Sequence, residues 1–302
     1  MSMFPTKILL ATDGSPEAVL ATRTAIEMAG RTDSELGVVH VEEVPVLAHS
    51  YAAGREAEEG EATRARRWLE EQVEKISEAG GSVTESHLRL GRPAHQIVRL
   101  SEGMEAGLIV IGNQGLSAFR RFLMGSVSEM VVRYAQCPVY VVRGGAGEEH
   151  LPSRVLLATD GSTRSEAAAG VAAEFSEKLG SELHLVHVEV VPSVFAMPDV
   201  RTEDIDYDDT LPENIEREGR QRLENQMHQV EEAGGAVAKT YLRAGDPSRE
   251  IVNLAERLDV GAVVIGSRSF GALERAVLGS VSENVVRHAH CPVMVVRENY
   301  SG

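Results

Sequence analysis

Small residues at a fixed spacing mark the part of the chain best suited to bind an anion. Two residues separate Gly112 from Gly115, and nine more separate Gly115 from Gly125-Ser126, a G-x2-G-x9-G-S pattern. Glycines allow backbone amides to approach a ligand closely. Ser126 opens a predicted helix, whose first N–H groups and dipole favour a phosphate. The pattern therefore predicts a phosphate-binding loop.

The same residues also fit a purely structural interpretation. Residues 126–129 and 280–283 both have the sequence Ser-Val-Ser-Glu, which matches a capping box in which the first serine caps the helix. In that case Ser126 would be only a helix cap. The complete glycine spacing favours a phosphate site in the first half of the chain.

The chain repeats itself. Residues 8–15 (ILLATDGS) recur at 155–162 as VLLATDGS, an offset of 147 residues. Further along the offset becomes 154, and aligning 91–143 with 245–297 gives 27 identities in 53 positions. Chance does not produce such agreement, so the two halves are one domain duplicated.

Domain boundaries follow from the duplication. The length of 302 residues suits two domains, expected at 1–143 and 153–302 with a glycine-rich, flexible linker at 144–152. The seven extra residues of the second copy fall within 192–218, which holds nine acidic residues. This segment is predicted to be an exposed, mobile acidic loop, with 44–60 as its counterpart.

Composition excludes several classes of protein. Thirty Lys and Arg against 46 Asp and Glu give a net charge of −16, which argues against a non-specific nucleic-acid coat or a binder of anionic membranes. No segment resembles a secretory signal or a membrane span, so a cytoplasmic protein is expected. The two cysteines, Cys137 and Cys291, are too few for a disulfide framework.

Each half alternates strands and helices. The helices of the first half are predicted from Pro16, capped by Ser15, to Gly30, then at 65–79, 94–100 and 127–134. Its strands are predicted at 7–11, 36–41, 83–90, 108–111 and 139–142. Apolar strands separated by helices predict an α/β fold of two tandem, doubly wound, five-stranded parallel-sheet domains.

Ligands of such sheets bind beyond the carboxyl ends of the strands, where the strand order reverses. The common five-strand order 3-2-1-4-5 places this switch point between strands one and four. The residues just past these strands are Asp13 and Gly112 in the first half, and Asp160 and Gly266 in the second. These residues are therefore predicted to line a site.

Three motifs in order, the Ala-Thr-Asp-Gly-Ser start, the glycine pattern and the Cys-Pro-Val-x-Val-Val-Arg end, resemble the universal stress protein family. The resemblance covers nearly the whole chain, twice. The glycine pattern is typical of the branch that binds ATP. The resemblance therefore implies the universal stress protein-like fold with bound ATP, and whether Mg²⁺ or Mn²⁺ accompanies the ATP stays open. A single carboxylate at each switch point does not identify a metal ligand.

The resemblance also implies roles for individual residues. Asp13 and the backbone of Val41 would hold the adenine. The ribose and phosphates would contact Gly112, Gly115, Gly125, Ser126 and the amide of Val127. The equivalent residues of the second half are Asp160, Val188, Gly266, Ser269, Gly279, Ser280 and Val281.

The second half departs from the family pattern at Ser269, where the first half has Gly115. If that position requires a positive φ, serine costs about 1–2 kcal/mol. Gly271, two residues later, would relieve the turn. We predict weaker or altered nucleotide binding in the second domain.

Other notable residues are expected to be structural. His40, His187 and Trp68 are predicted to pack, the two cysteines to be buried, and Arg120 and Arg121 to be solvated. No P-loop lysine, zinc-protease motif or nucleophile elbow is present. Nothing identifies a general base, so the chain is expected to be at most a slow ATPase.

Three functions remain open at this point. The first is a regulatory ATP-binding stress protein with an unknown protein partner. The second is an interaction scaffold with a structural nucleotide, which the resemblance implies would pair and form a homodimer through the final strands 139–142 and 293–296. The third is a slow ATPase or adenylate-handling transferase.

Overall fold

The chain divides into two compact units, Met1–Leu151 and Pro152–Ser301. The division falls at the end of the predicted linker. The computed structural model describes residues 5–43, 52–113, 124–144, 151–162, 165–190, 213–267, 278–297 and 300, with the backbone alone over 52–59.

The first unit alternates strands and helices along the chain. Its elements are β1 (Lys7–Ala11), α1 (Pro16–Thr32), β2 (Glu35–Glu42), α2 (Ala52–Glu78), β3 (Val83–Leu90), α3 (Pro93–Gly103), β4 (Leu108–Gly112), α4 (Ser126–Tyr134) and β5 (Val139–Val142).

The second unit repeats this succession. Its elements are β6 (Arg154–Thr159), α5 (Glu166–Leu179), β7 (Glu182–Glu189), α6 (Glu213–Glu232), β8 (Val237–Ala244), α7 (Pro247–Arg257), β9 (Ala262–Gly266), α8 (Ser280–His288) and β10 (Val293–Val296).

Both units build a parallel five-stranded sheet. The strand order is β3-β2-β1-β4-β5 in the first unit and β8-β7-β6-β9-β10 in the second. In each unit the first strand pairs in parallel with the second and the fourth. The predicted α/β fold and the order 3-2-1-4-5 are therefore confirmed, and the switch point lies between β1 and β4 and between β6 and β9.

The central strands form the core of each unit. Ile8, Leu9 and Leu10 of β1 are completely buried, as are Ile109 and Val110 of β4 beside them. Because helices cover both faces of such a sheet, both faces of a central strand must be apolar. The outer strand β3 instead alternates between half-buried and exposed residues over its first half.

Helix α1 begins as predicted and ends later. The Ser15 hydroxyl accepts a hydrogen bond from the Ala18 N–H at 3.2 Å, and Pro16 follows it at the first helical position. The predicted end at Gly30 is wrong, because the helix continues to Thr32 and Asp33 takes the left-handed conformation at φ 55°. Aspartate tolerates this conformation better than most residues, so no glycine is needed there.

The predicted loops 44–60 and 192–218 are partly wrong. Helix α2 already begins at Ala52 and α6 at Glu213, whereas 44–51 and 191–212 lie outside the described residues. The acidic start of α6 suits a helix because negative charge is favourable near a helix amino end. The face of α6 turned to the core carries the buried residues Gly219, Leu223, Gln226 and Val230.

The amino end of α7 carries a cap whose strength depends on pH. The Asp246 carboxylate accepts hydrogen bonds from the Ser248 hydroxyl at 2.6 Å and the Arg249 N–H at 2.9 Å. These bonds, the first above all, lower the pKa of Asp246. Because the folded pKa lies below the unfolded one, the stabilisation is complete above the unfolded pKa and is lost as pH falls through the folded pKa.

We expect Asp246→Ala to lower the free energy of unfolding by about 1 kcal/mol at neutral pH, and by progressively less as the carboxyl is protonated. Urea unfolding at neutral and acid pH measures this. The matched control is Arg92→Ala, because Arg92 precedes α3 without a side-chain cap. An equal loss at both pH values would contradict the prediction.

Candidate functional site

A tight turn follows the first strand of each unit and orients an aspartate. Asp13 Oδ1 accepts a hydrogen bond from the Ser15 N–H at 3.0 Å. Asp160 Oδ1 accepts two, from the Ser162 N–H at 3.0 Å and the Ser162 hydroxyl at 2.6 Å. Gly14 lies between Asp13 and Ser15, and Gly161 lies between Asp160 and Ser162. Their φ angles of 76° and 73° are disfavoured for residues that carry a side chain.

The second carboxylate oxygen of Asp160 differs from the first in its hydrogen bonding. Asp160 Oδ2 is buried and has no hydrogen-bond partner within the described residues. A buried carboxylate oxygen without a donor is costly, so such atoms are rare in folded proteins. Asp160 is one of the residues that line a cavity.

The cavity of the second unit lies at the predicted switch point. Its volume is about 380 Å³, within the range of small-molecule pockets. Four of the predicted site residues line it: Asp160, Val188, Gly266 and Val281. They come from the ends of β6, β7 and β9 and from the start of α8, so the fold brings together residues that are far apart in sequence.

The start of α4 is tied to the end of β4. The Asn113 carbonyl accepts hydrogen bonds from the Gly125 N–H at 2.7 Å and the Ser128 hydroxyl at 2.8 Å. In the second unit the Ser282 hydroxyl donates to the Gly266 carbonyl at 2.7 Å. These bonds hold the amino end of each helix, with its free N–H groups, beside the switch point.

The capping-box interpretation of residues 126–129 is wrong. Helix α4 has Gly125 as its N-cap and no side-chain cap, and Gly279 has the same place before α8. Ser126 and Ser280 are the first residues of their helices and both are exposed. Their hydroxyls are therefore not needed to cap the helix.

Close packing surrounds Gly112. A Cβ atom on Gly112 would lie 2.9 Å from the Glu17 carbonyl carbon and 3.0 Å from the Ala18 nitrogen. The end of β4 therefore lies against the first turn of α1. Gly115 and Ser269, with Arg120 and Arg121, fall outside the described residues, so their predicted roles stay predictions.

His40 and His187, which were predicted only to pack, each have an acidic neighbour that the sequence analysis missed. The Nδ1 atoms of His40 and His187 lie 3.0 Å from the carbonyl oxygens of Thr12 and Thr159. Their Nε2 atoms lie 3.4 Å from Glu42 and 3.2 Å from Glu189, respectively. Residues two apart on a strand share a face, and this spacing was the available signal.

One residue of α2 and the equivalent residue of α6 lie beside the turn that follows the first strand of their domains. Trp68 and Arg222 are separated by 154 residues, the repeat offset of this part of the chain. A Cβ atom on Gly14 would lie 2.7 Å from the Trp68 ring, and one on Gly161 would lie 2.9 Å from the Arg222 side chain. Trp68 was expected only to pack, and the repeat offset was the signal that pairs it with Arg222.

The described residues contain neither a metal-ligand cluster nor a membrane-spanning helix. Within them, no three His, Cys, Asp or Glu residues cluster in a way that would hold a metal ion. No helix in that part of the chain combines the length and apolar character needed to cross a membrane. Cys137 and Cys291 are buried thiols, as predicted.

Known proteins match the same architecture. The chain is 31% identical to a universal stress protein of Mycolicibacterium smegmatis over 305 residues, with 96% of each covered. One of Mycobacterium tuberculosis is 29% identical over 308 residues, with 97% of each covered. The crystal structure of a universal stress protein from Archaeoglobus fulgidus superimposes with a TM-score of 0.72 at 27% identity, covering 97% of this chain and 99% of that one. Residues 5–143 and 152–297 each match the model of the Universal stress protein family, so the chain belongs to that family and carries its domain twice.

Proposed function

We propose that this chain is a regulatory ATP-binding stress protein, with the nucleotide held at the switch point of each domain. The observation that carries the proposal is that Asp160 lines a cavity of about 380 Å³ and that its buried Oδ2 has no hydrogen-bond partner among the described residues. A lone acceptor of this kind suits an exocyclic amine, which adenine presents at its edge. The backbone of Val188, on the same wall, would complete the adenine end.

The phosphates would lie at the amino ends of α4 and α8. Gly125 and Gly279 cap these helices without a side chain, so within the described residues no side-chain cap competes with an anion for the first N–H groups. The helix dipole adds a favourable positive potential there. Phosphates bound here would carry any Mg²⁺ or Mn²⁺ with them, and no protein metal ligand is assigned.

Regulation requires that nucleotide binding favours one of two states of the protein. We place the readout in binding to a protein partner, and the tandem chains are proposed to form a homodimer. The residues of β5 and β10 are already buried within one chain, so the surface that would join two chains is not assigned. Hydrolysis is not assigned as the function, because no general base is identified.

Native mass spectrometry of freshly purified protein tests both parts of the proposal. We expect particles of twice 32.6 kDa that carry ATP, about one per chain if Ser269 weakens the second site. About two per chain would keep the sites and contradict the argument from Ser269. A particle of one chain would contradict the homodimer.

A variant decides whether the assigned residues form the first site. Asp13→Ala combined with Gly125→Ala removes the adenine acceptor and alters the cap of α4 in the same domain. We expect this double variant to lose about one ATP per chain while circular dichroism shows an unchanged fold. Retention of every bound ATP and of all ATP-dependent partner binding would refute the assignment.

A further inference from the structure

We propose that Trp68 forms an aromatic wall of the first nucleotide site, against which a purine base stacks, and that Arg222 replaces it with a polar wall in the second site. The inference rests on the proposed function and deepens it, because it names the group that distinguishes the two sites. It also predicts that a nucleoside without phosphates binds preferentially in the first domain.

Because the domain is duplicated, Trp68 occupies the position that, in the second domain, borders the cavity. Arg222, its equivalent, lines the cavity of the second domain together with Asp160 and Val188. The Trp68 side chain lies against Gly14, and the Arg222 side chain lies against the equivalent Gly161. Position 68 therefore borders the first switch point in the same way as position 222 borders the second.

The neighbours of Trp68 are those of the predicted adenine end. Gly14, which its ring approaches, follows Asp13 in the chain. His40, whose ring centroid lies 4.4 Å from that of Trp68 at an interplanar angle of 46°, precedes Val41. The Trp68 side chain is half-buried, so part of the ring remains accessible. A partly accessible indole ring beside the predicted base-binding residues suits stacking, which works with every purine.

Arg222 gives the second site a different chemistry. Its guanidinium forms an ion pair with Glu189 and lies 3.7 Å from Glu218 one turn earlier on α6. Glu189 also lies 3.2 Å from His187 Nε2 and lines the cavity. The wall of the second pocket is therefore formed by charged side chains that pair with one another. A base bound there would have to displace or cover these ion pairs, because they offer no aromatic ring on which to stack.

The chain offers its own reporter, because Trp68 is its one tryptophan. We expect adenosine and ATP to change the Trp68 emission of the full chain saturably. Equilibrium dialysis with labelled adenosine then measures the affinity independently of fluorescence. Trp68→Ala is expected to weaken the tighter adenosine site about tenfold, equivalent to ~1.4 kcal/mol, and Trp68→Phe by less because a ring remains.

Arg67→Ala is the matched control, because Arg67 is the exposed neighbour of Trp68 on α2. It should leave the Trp68-reported affinity unchanged. Unaltered adenosine binding in Trp68→Ala, or a silent Trp68 in wild-type protein saturated with ATP, would overturn the inference while leaving the proposed function intact. If dialysis detects neither adenosine nor ATP bound to the wild-type chain, the proposed function fails as well. The wild-type titration needs no variant, so misfolding of Trp68→Ala does not prevent a decision.

Discussion

Replacing Asp160 by asparagine is expected to weaken ATP binding by the second domain about 10- to 100-fold, without lowering the stability of the ligand-free chain. The reason is the different state of the two carboxylate oxygens. Oδ1 accepts from the Ser162 N–H and hydroxyl, whereas Oδ2 is buried and unpartnered in the part of the chain that the structure describes.

Asparagine keeps the first oxygen and changes the second. The amide oxygen must take the place of Oδ1 to accept from Ser162, so the amide NH₂ takes the place of Oδ2. A donor would then face the donor of the adenine amine. Losing a hydrogen bond to a charged group costs about 1.5–3 kcal/mol, which corresponds to the stated loss of affinity. In the ligand-free protein both side chains leave one polar atom without a partner among the described residues, so stability should change little.

Calorimetric titration with ATP and urea unfolding measure the two effects separately. Asp246→Asn is the matched control, because Asp246 caps α7 and its hydrogen bonds are already formed. That variant should bind ATP normally. If Asp160→Asn instead binds ATP like the wild type, the carboxylate does not contact the nucleotide. A clear loss of stability would show that Asp160 serves mainly to hold its turn.

The second large effect is expected from Gly112→Ala, which should lower the free energy of unfolding by about 2–3 kcal/mol and weaken ATP binding in the first domain. The added Cβ would lie 2.9 Å from the Glu17 carbonyl carbon and 3.0 Å from the Ala18 nitrogen. These are backbone atoms, so the first turn of α1 must move away from β4. That turn carries the Ser15 cap and follows directly on Asp13.

Gly30→Ala provides the control for Gly112→Ala. It makes the same substitution in the same domain, but a Cβ on Gly30 would meet nothing within 4 Å. Because alanine is a better helix former than glycine, stability should rise by about 0.5–1 kcal/mol. Urea unfolding of both variants, with ATP titration of each, checks the pair. Equal stability of the two variants would contradict the close approach of β4 and α1.

Much of this protein follows from its sequence alone. The offsets of 147 and 154 residues reveal the duplication, and continuous apolar strands such as β1 and β4 identify a parallel sheet covered on both faces. The strand order then places Asp13 and Asp160 at the switch points. These features are readable because strand periodicity and turn chemistry depend on residues that are close together in the chain.

Helix boundaries were harder to predict from the sequence, because several residue types can cap or end a helix. Asp33 ends α1 where Gly30 was expected, and Gly125 rather than Ser126 caps α4. At the start of α6, residues 213–218, acidic composition suggested a loop, but the buried face that follows, with Leu223, Gln226 and Val230, holds the helix against the sheet. Tertiary packing outweighs local propensity in such segments.

Only the tertiary structure decided which side chains complete each site. Trp68 meets Gly14 across 54 residues, and Arg222 meets Glu189 across 33. Likewise, the lack of a hydrogen-bond partner for Asp160 Oδ2 among the described residues depends on what surrounds it in space. The sequence determined the fold, its duplication and the place of the switch points, because local patterns encode them. The chemistry of the pocket walls depends on contacts between distant residues, which no local pattern contains.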